Sequence, residues 1–476
     1  MTTQVPGRHV ALIGFMGAGK STVGAEVAKR IGRPFRDLDR ELETALQVSI
    51  ASYFAEAGEE AFRKREALAT VAALGDPEPA VLALGGGAVT SRAVREELGR
   101  RAVTVLLEVD AATAWERSQG GDRPLAQERG AFTALFDQRQ PVYREAADVV
   151  ARDADDAVLA AGGVRVGVGL LELLGEHVPG DGPAALVTDA RVAGIHGADA
   201  QLALGSRLVS THELPAGEAA KSLSACERLW NELDLDRGGT IVALGGGCTT
   251  DSAGFVASGY MRGVEWVPVP TTLVGQVDAG IGGKTAINLP AAKNLVGAFH
   301  WPAATVIDPA LLQTLPEQER TGGLAEVVKT GLLAGEPLWE LPEPEQVRRC
   351  AAFKTAVCLR DPHDRGERKM LNLGHTFAHA LEAGSGYGLP HGQAVALGLL
   401  AALRLSGLPT AEVEDVLSPQ PVSVDPDKAW AALALDKKRA GGRPCFVLLE
   451  AVGQPVVDVE LPEERIREAL DALIAV

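Results

Sequence analysis

The sequence predicts two successive α/β folds followed by a helical part, and three observations carry that reading. A strand-like run, Val10–Ile13, leads through Gly14-Phe15-Met16-Gly17-Ala18-Gly19-Lys20-Ser21 into a stretch of helical spacing, Thr22–Ile31. The pentapeptide Ala-Leu-Gly-Gly-Gly occurs twice, at Ala83–Gly87 and Ala243–Gly247, each time closing an apolar run that reads as a buried strand (Val81–Leu84 and Ile241–Leu244). From about Leu311 the pattern is helical to the end. Three glycines after a strand strip a tight turn of side chains, so that backbone can approach a ligand closely.

Composition bounds the answer. A chain of 476 residues is too long for one ordinary core, so two or three domains are expected. With 46% hydrophobic and 23% charged residues it is globular, and its many Gly and Ala suit close α/β packing. A net charge of −17 argues against nucleic-acid and anionic-membrane partners, although a few Lys and Arg focused in a cleft still bind phosphate. The five cysteines (Cys226, Cys248, Cys350, Cys358, Cys445) form no CxxC pair and read as reduced thiols of a cytoplasmic protein. Met1–Arg8 has no apolar signal region, and no run approaches the length of a membrane helix.

The segment Gly14–Ser21 fits GxxxxGK[ST] in the strand–loop–helix context that gives the motif meaning. Its backbone N–H groups and the helix N-terminus form an anion site, Lys20 reaches the β- and γ-phosphates, and the Ser21 hydroxyl binds Mg²⁺. Asp37 and Asp39 follow at i and i+2; one can hold the metal shell and the other accept a hydroxyl proton, or both simply cap a helix. Arg63 falls in a helix, where a solvated face is the plain alternative. Arg117 precedes Gly120-Gly121-Asp122-Arg123-Pro124-Leu125, a polar segment suited to a mobile lid with Arg123 neutralising charge. Arg139-x-x-x-Tyr143 lies on a last helix.

In that order and spacing these motifs resemble shikimate kinases from about Val10 to Val150. The resemblance implies a P-loop kinase domain over 1–161, a parallel sheet with helices on both faces, that phosphorylates the 3-hydroxyl of shikimate with ATP and Mg²⁺. It implies that Gly17, Ala18, Gly19, Lys20, Ser21 and Thr22 hold the nucleotide, with Arg117 near the adenine. Asp39 then orients the hydroxyl, Arg63 and Arg139 clamp the carboxylate, and Gly85, Gly86 and Gly87 lie against the ring. Lys20, Asp39 and the lid Arg123 are the catalytic set. The family's last helix is cut short to about Asp155–Ala161, a piece expected to serve as a linker.

Gly162-Gly163 marks the boundary. Ala184–Thr188 is a strand ending at Asp189, an acid placed to hold a ribose hydroxyl or to cap a helix. Gly217-Glu218-x-x-Lys221 opens a helix. The second triple glycine runs into Cys248-Thr249-Thr250-Asp251; it is not GxGxxG, yet a glycine turn between strand and helix suits a pyrophosphate. Pro270-Thr271-Thr272, Asp278, Gly282-Gly283-Lys284, Asn288 and Lys293-Asn294 follow, a cradle for an anionic substrate or a solvated loop. Gly282-Gly283-Lys284 lacks the upstream glycine of a second P-loop. Glu326 sits in a mostly apolar helix, where a carboxylate is rare unless paired or metal-bound. His375 and His379 share a helix face and His391 follows; Glu326 with two histidines leaves an open Zn²⁺ position, against the alternative of core or capping histidines.

This half resembles 3-dehydroquinate synthase from about Val164 to the C-terminus. The resemblance implies a two-part synthase: an α/β Rossmann-like NAD-binding subdomain over 162–310 and an all-α metal-binding subdomain over 311–476. It implies bound NAD⁺ and one divalent metal, Zn²⁺, with Glu326, His375 and His391 as ligands and His379 as a polar catalytic residue. NAD⁺ lies on Gly246, Gly247, Asp251, Thr271, Thr272, Asp278, Lys284, Lys293 and Thr314, with Asp189, Glu218 and Lys221 toward the adenosine. Lys284 (also catalytic), Asn294, Lys329, Lys354, Arg368, Asn372 and Lys437 meet the phosphate and carboxylate of 3-deoxy-D-arabino-heptulosonate 7-phosphate, which is cyclised to 3-dehydroquinate with loss of phosphate. Arg262 reaches into the neighbouring site of a homodimer formed through this half. Thr250 and Ala378 replace glycines common in the family. Alternatives are another sugar-phosphate cyclase, a metal/NAD polyol dehydrogenase, or a nucleotide-sensing scaffold with inactive sites. The flanking chemistry of the two Ala-Leu-Gly-Gly-Gly copies differs, so they read as convergence and not as an internal duplication.

Overall fold

The computed structural model describes residues 7–119, 128–290, 292–439 and 444–475. The chain forms two compact units, Met1–Gly163 and Val164–Val476.

In the first unit five parallel strands lie in the order β2 (Phe35–Asp37), β3 (Val81–Ala83), β1 (His9–Ile13), β4 (Ala102–Leu107) and β5 (Val149–Ala151). The central strands β1, β3 and β4 are buried along their whole length, which is why they read as continuous apolar runs without alternation. Helices Lys20–Ile31, Ile50–Leu74, Arg92–Arg101 and Arg129–Ala146 pack around this sheet. The helix Ala154–Ala161 does not behave as a linker. Asp153 caps it, Ala157 and Val158 are fully buried, and Asp155 pairs with Arg30 at 2.6 Å. Its small side chains let it lie close against Lys20–Ile31, so the shortened piece completes this unit's core.

In the second unit the parallel sheet runs β10 (Glu265–Pro270), β9 (Thr240–Gly245), β7 (Ala184–Asp189), β8 (Leu208–Leu214), with β6 (Val164–Val166) paired to β13 (Thr305–Ile307). Alternate residues enter different cores: Ala185, Val187, Ile241 and Ala243 on one face, Leu186, Val242 and Leu244 on the other. The chain passes from β7 to β8 on one side and returns to β9 on the other. That reversal opens a crevice at the carboxyl ends of β7 and β9. The glycine-rich stretch after residue 281 is an antiparallel hairpin, β11 (Lys284–Leu289) with β12 (Ala292–Phe299).

The remainder is helical, with Glu317–Ala334, Glu343–Arg360, His375–Gly384, His391–Ser406 and Pro426–Arg439 around one apolar core. One antiparallel hairpin, β14 (Cys445–Ala451) with β15 (Gln454–Glu460), interrupts the helical pattern read from the sequence. Its valines Val456, Val457 and Val459 favour strand, and Gly453 turns it at φ +84°.

Candidate active sites

The first site grows from the loop after β1. Gly14, Gly17 and Gly19 all have positive φ (142°, 81° and 88°), and a Cβ on Gly17 would lie 2.5 Å from Ala114 O. Lys20 and Ser21 therefore begin a 12-residue helix whose N-cap, Gly19, supplies no side-chain cap, the kind of helix N-terminus that suits an anion. The Lys20 ammonium donates to Gly14 O (2.8 Å) and Phe15 O (3.1 Å), the mouth of the same loop. Ser21 Oγ donates to Asp37 Oδ2 at 2.6 Å, so of the two aspartates Asp37 stands beside the hydroxyl expected to bind Mg²⁺. Ala18 is buried, Thr22 is exposed in the helix's first turn, and Arg117 is exposed on the helix Ala111–Ser118. Arg123 lies outside the described residues.

The first triple glycine gathers the acceptor side. A Cβ on Gly85 would fall 2.5 Å from Asp39 Oδ1 and 2.2 Å from Glu66 Oε1; on Gly87 it would fall 2.0 Å from Arg63 Nη1. Arg139 Nη1 (3.2 Å) and Tyr143 Oη (2.5 Å) both donate to Gly86 O. Asp39, Arg63, Arg139 and Tyr143 thus converge where bare backbone leaves room. Glu66 was not anticipated. It is 4% exposed and holds Arg63 at 2.7 Å, and its spacing of three from Arg63 on one helix face was the available signal.

The second site is drawn together by glycines. A Cβ on Gly392 would meet Gly322 backbone at 2.2 Å, and one on Gly398 would meet Gly374 O at 2.0 Å. These contacts press the helices Glu317–Ala334, His375–Gly384 and His391–Ser406 together and bring Glu326, His375 and His391 within 4.8 Å of one another. Glu326 Oε1 is 3.3 Å from Nε2 of both His375 and His391. Burial disfavours the Glu326 carboxylate, but Lys329 and His375 outweigh it and hold its pKa well below the usual value. His391 is likewise opposed by burial, yet Glu326 and Glu382 push its pKa up to about 10 in the absence of a metal. One carboxylate and two imidazoles fit a Zn²⁺-type ion with a position left for substrate. His379 stands outside this triad, its ring 5.6 Å from that of His375, and desolvation and His375 push its pKa down to about 4. Ala378 is fully buried beneath the site.

A string of cations leads away from the triad. Lys329, 2% exposed, pairs with Glu326 and lies 3.8 Å from Asp278 Oδ2; Lys354 pairs with the other Asp278 oxygen. Lys284 is 2.6 Å from Asp364. Arg368, 1% exposed, donates to Gly282 O and Pro362 O at 3.0 Å, while its buried Nε has no hydrogen-bond partner. An orphaned guanidinium N–H amid lysines fits an anionic ligand. Asn372 is exposed at the end of the turn Glu367–Asn372, and Asn294 has φ +54° on the hairpin. Lys437 lies on the helix Pro426–Arg439, with its side chain outside the described residues. Arg262 is exposed in the turn Tyr260–Arg262, where Met261, Arg262 and Gly263 all have positive φ.

Beside them lies the crevice at β7 and β9. Gly245 is required by packing, since its Cβ would meet Thr249 at 2.7 Å; Gly246 and Gly247 have only Thr272 (3.1 Å) and Ala279 (3.3 Å) nearby and open the helix Gly247–Gly259. That bare helix N-terminus fits a pyrophosphate. Thr250, where a glycine is common, is absorbed by the helix and donates to Gly247 O at 3.1 Å. Thr271 N bonds Gly245 O (3.0 Å), tying the end of β10 to the same turn. Asp189 caps the backbone N–H groups of Arg191 and Val192 and accepts from Thr249 Oγ1, so the capping role foreseen as its alternative is present. Lys221 bridges Asp251 and Asn294, each at 2.5 Å, and Glu218 holds Asn288 (2.7 Å) and Lys293 (3.1 Å). Thr314 Oγ1 bonds His196 Nε2 at 2.8 Å, an unanticipated partner.

The fold and sites define a P-loop phosphotransferase joined in one chain to an α/β-plus-helical synthase built around a metal-ligand triad. The shikimate kinase family matches residues 16–161, and the N- and C-terminal families of 3-dehydroquinate synthase match residues 211–321 and 323–439. A 3-dehydroquinate synthase of Bordetella pertussis is 41% identical over 344 residues, 65% of this chain and 95% of the relative; one of Symbiobacterium thermophilum is 40% identical over 349 residues, 65% and 97%. The 2-epi-5-epi-valiolone synthase of Streptomyces hygroscopicus, solved with NAD⁺ and Zn²⁺ bound, is 27% identical with a TM-score of 0.59 over 65% of this chain and 96% of that one. The chain belongs to the 3-dehydroquinate synthase family and carries a shikimate kinase domain ahead of it, making it a bifunctional kinase–synthase fusion of the shikimate pathway. Among the described residues no helix is long and apolar enough to cross a membrane.

Proposed function

We propose that the first unit transfers the γ-phosphoryl of Mg²⁺-ATP to the 3-hydroxyl of shikimate, and that the second cyclises 3-deoxy-D-arabino-heptulosonate 7-phosphate to 3-dehydroquinate. The division into a dinucleotide part, 162–310, and a helical part, 311–476, belongs to the same reading. The observation that carries it is the Glu326–His375–His391 triad set among Lys284, Lys329, Lys354 and Arg368. A polyol dehydrogenase has no use for so many cations, whereas a substrate with a phosphate and a carboxylate does.

In the kinase, Lys20 leaves the loop carbonyls for the nucleotide phosphates, Ser21 holds the metal, and Asp39 takes the hydroxyl proton while Arg63 and Arg139 fix the carboxylate. In the synthase, Glu326, His375 and His391 would hold a divalent metal that would polarise the carbinol oxygen, and the Gly246–Gly247 turn would hold NAD⁺ as hydride acceptor and donor. Lys284, Lys354, Arg368 and Asn372 hold the two anionic ends in one geometry. His379, neutral at physiological pH, is the group placed to carry a proton. Arg262 completes the site of a second copy in a homodimer; its exposed, positive-φ turn is a conformation that persists only when something compensates it.

Two separate assays test this: phosphate release from the keto-acid phosphate, and ADP formation with shikimate. Turnover in both is expected. Phosphate release from a sugar phosphate lacking the carboxylate, in preference to the keto acid, would instead make the second unit another cyclase.

A further inference from the structure

Glu382 lies two turns after His375 on the same helix, with its side chain 6% exposed. Its Oε1 is 3.3 Å from His391 Nδ1, and His391 Nε2 faces Glu326 Oε1 at 3.3 Å. Carboxylates can only accept, so without a metal both ring nitrogens donate; when a metal replaces the Nε2 proton, Glu382 keeps the remaining proton on Nδ1 and leaves Nε2 as the ligand atom. His375 is arranged alike with a weaker partner: its Nδ1 is 3.2 Å from Leu373 O. His391 needs more support, because it is 39% exposed at the first position of its helix and follows Tyr387, whose φ is +65°. Lys293 of β12 lies 4.0 Å from Glu382 Oε1, 3.1 Å from Glu218 and 4.9 Å over the Tyr387 ring.

We propose that Glu382 is a positioning residue of the metal centre, fixing the tautomer and direction of His391, and that Lys293 tethers both Glu382 and the Tyr387 segment to the hairpin β11–β12. This rests on Glu326, His375 and His391 being the ligands. The hairpin that carries Lys284 and Asn294 is thereby tied to the histidine farthest along the chain.

The test uses the full chain, stripped with a chelator, titrated with Zn²⁺ and separately with Co²⁺, whose visible spectrum reports ligand geometry. Glu382→Ala is expected to weaken Zn²⁺ binding roughly ten- to a hundredfold and to alter the Co²⁺ spectrum. Glu382→Gln, which keeps an acceptor in place, should recover most of that loss, and Lys293→Met should cost less than about tenfold. Zn²⁺ affinities of both Glu382 variants within about twofold of the parent would overturn the proposal. So would equal losses in both accompanied by equal falls in the melting temperature of the metal-free protein, which mark a merely structural role. A parent chain that binds no Zn²⁺ would strike at the ligand set itself, and is told apart from the other outcomes by that control.

Discussion

The same five residues end two strands of this chain, and they do different work. At Gly85–Gly87 the missing side chains make room for charged groups from elsewhere: Asp39, Glu66, Arg63 and Arg139 fill the space a Cβ would need or line it. Only a three-residue turn, Ala88–Thr90, follows. At Gly245–Gly247 the flanking atoms belong to Thr249, Thr272 and Ala279, and a 13-residue helix begins at once. On the proposed function, one copy is a receptacle for the side chains that would bind shikimate, and the other would bring backbone dipoles to NAD⁺ itself. Bare backbone at a strand's end is thus a shared physical means, with its use set by what the rest of the fold delivers to it.

The strongest way to separate the two regions is to disable each. Lys20→Met should lower ADP formation with shikimate by roughly a thousandfold, on the scale of losing a main charge stabiliser, and leave keto-acid phosphate turnover unchanged. Parallel loss of both activities would break the two-site picture. His375→Ala should abolish bound metal in elemental analysis and lower synthase turnover by roughly a hundredfold or more, with kinase activity intact. Retained metal would remove His375 from the ligand set.

Finer changes probe the glycines themselves. Gly87→Ala places a methyl 2.0 Å from the Arg63 guanidinium and should raise the shikimate KM about tenfold without touching NAD⁺ affinity. Gly246→Ala meets only Thr272 at 3.1 Å and should weaken NAD⁺ binding several-fold, read by calorimetry. A crossed result, with either change felt at the other site, would refute the division of labour. The smallest effect is on stability. The His391 pKa is raised from 6.5 to about 10 in the folded, metal-free chain, so its contribution is fully present below about 6.5 and is lost as pH rises through 10. The melting temperature of chelator-treated protein should therefore decline over that window, and a flat profile would contradict the Glu326–His391–Glu382 contacts.

The chemistry was legible where it is local in sequence. The Gly14–Ser21 loop, the apolar strands and the helical spacing of His375 and His379 all declare themselves within a few residues, and Glu326 announced itself as a carboxylate in an apolar helix. What stayed hidden depends on distant segments meeting. Glu66 and Glu382 look like ordinary helix acids until their burial against Arg63 and His391 is seen. The linker expected at 155–161 is core because the helix Lys20–Ile31 offers it a complementary face. The hairpin β14–β15 was read through as helix because its helical neighbours dominate the surrounding pattern.

The glycine contact between positions 322 and 392 has a consequence for how such a centre can change. The gap between the two helices is set by backbone against backbone, with no side chain acting as a shim. A methyl at position 392 must wedge the helices apart, whereas one at 322 would rest in ordinary contact, 3.8 Å from Gly392 Cα. On the proposed ligand set, selection on the spacing of these groups would thus act through Gly392, which is no ligand itself, and would find there only one direction in which to move.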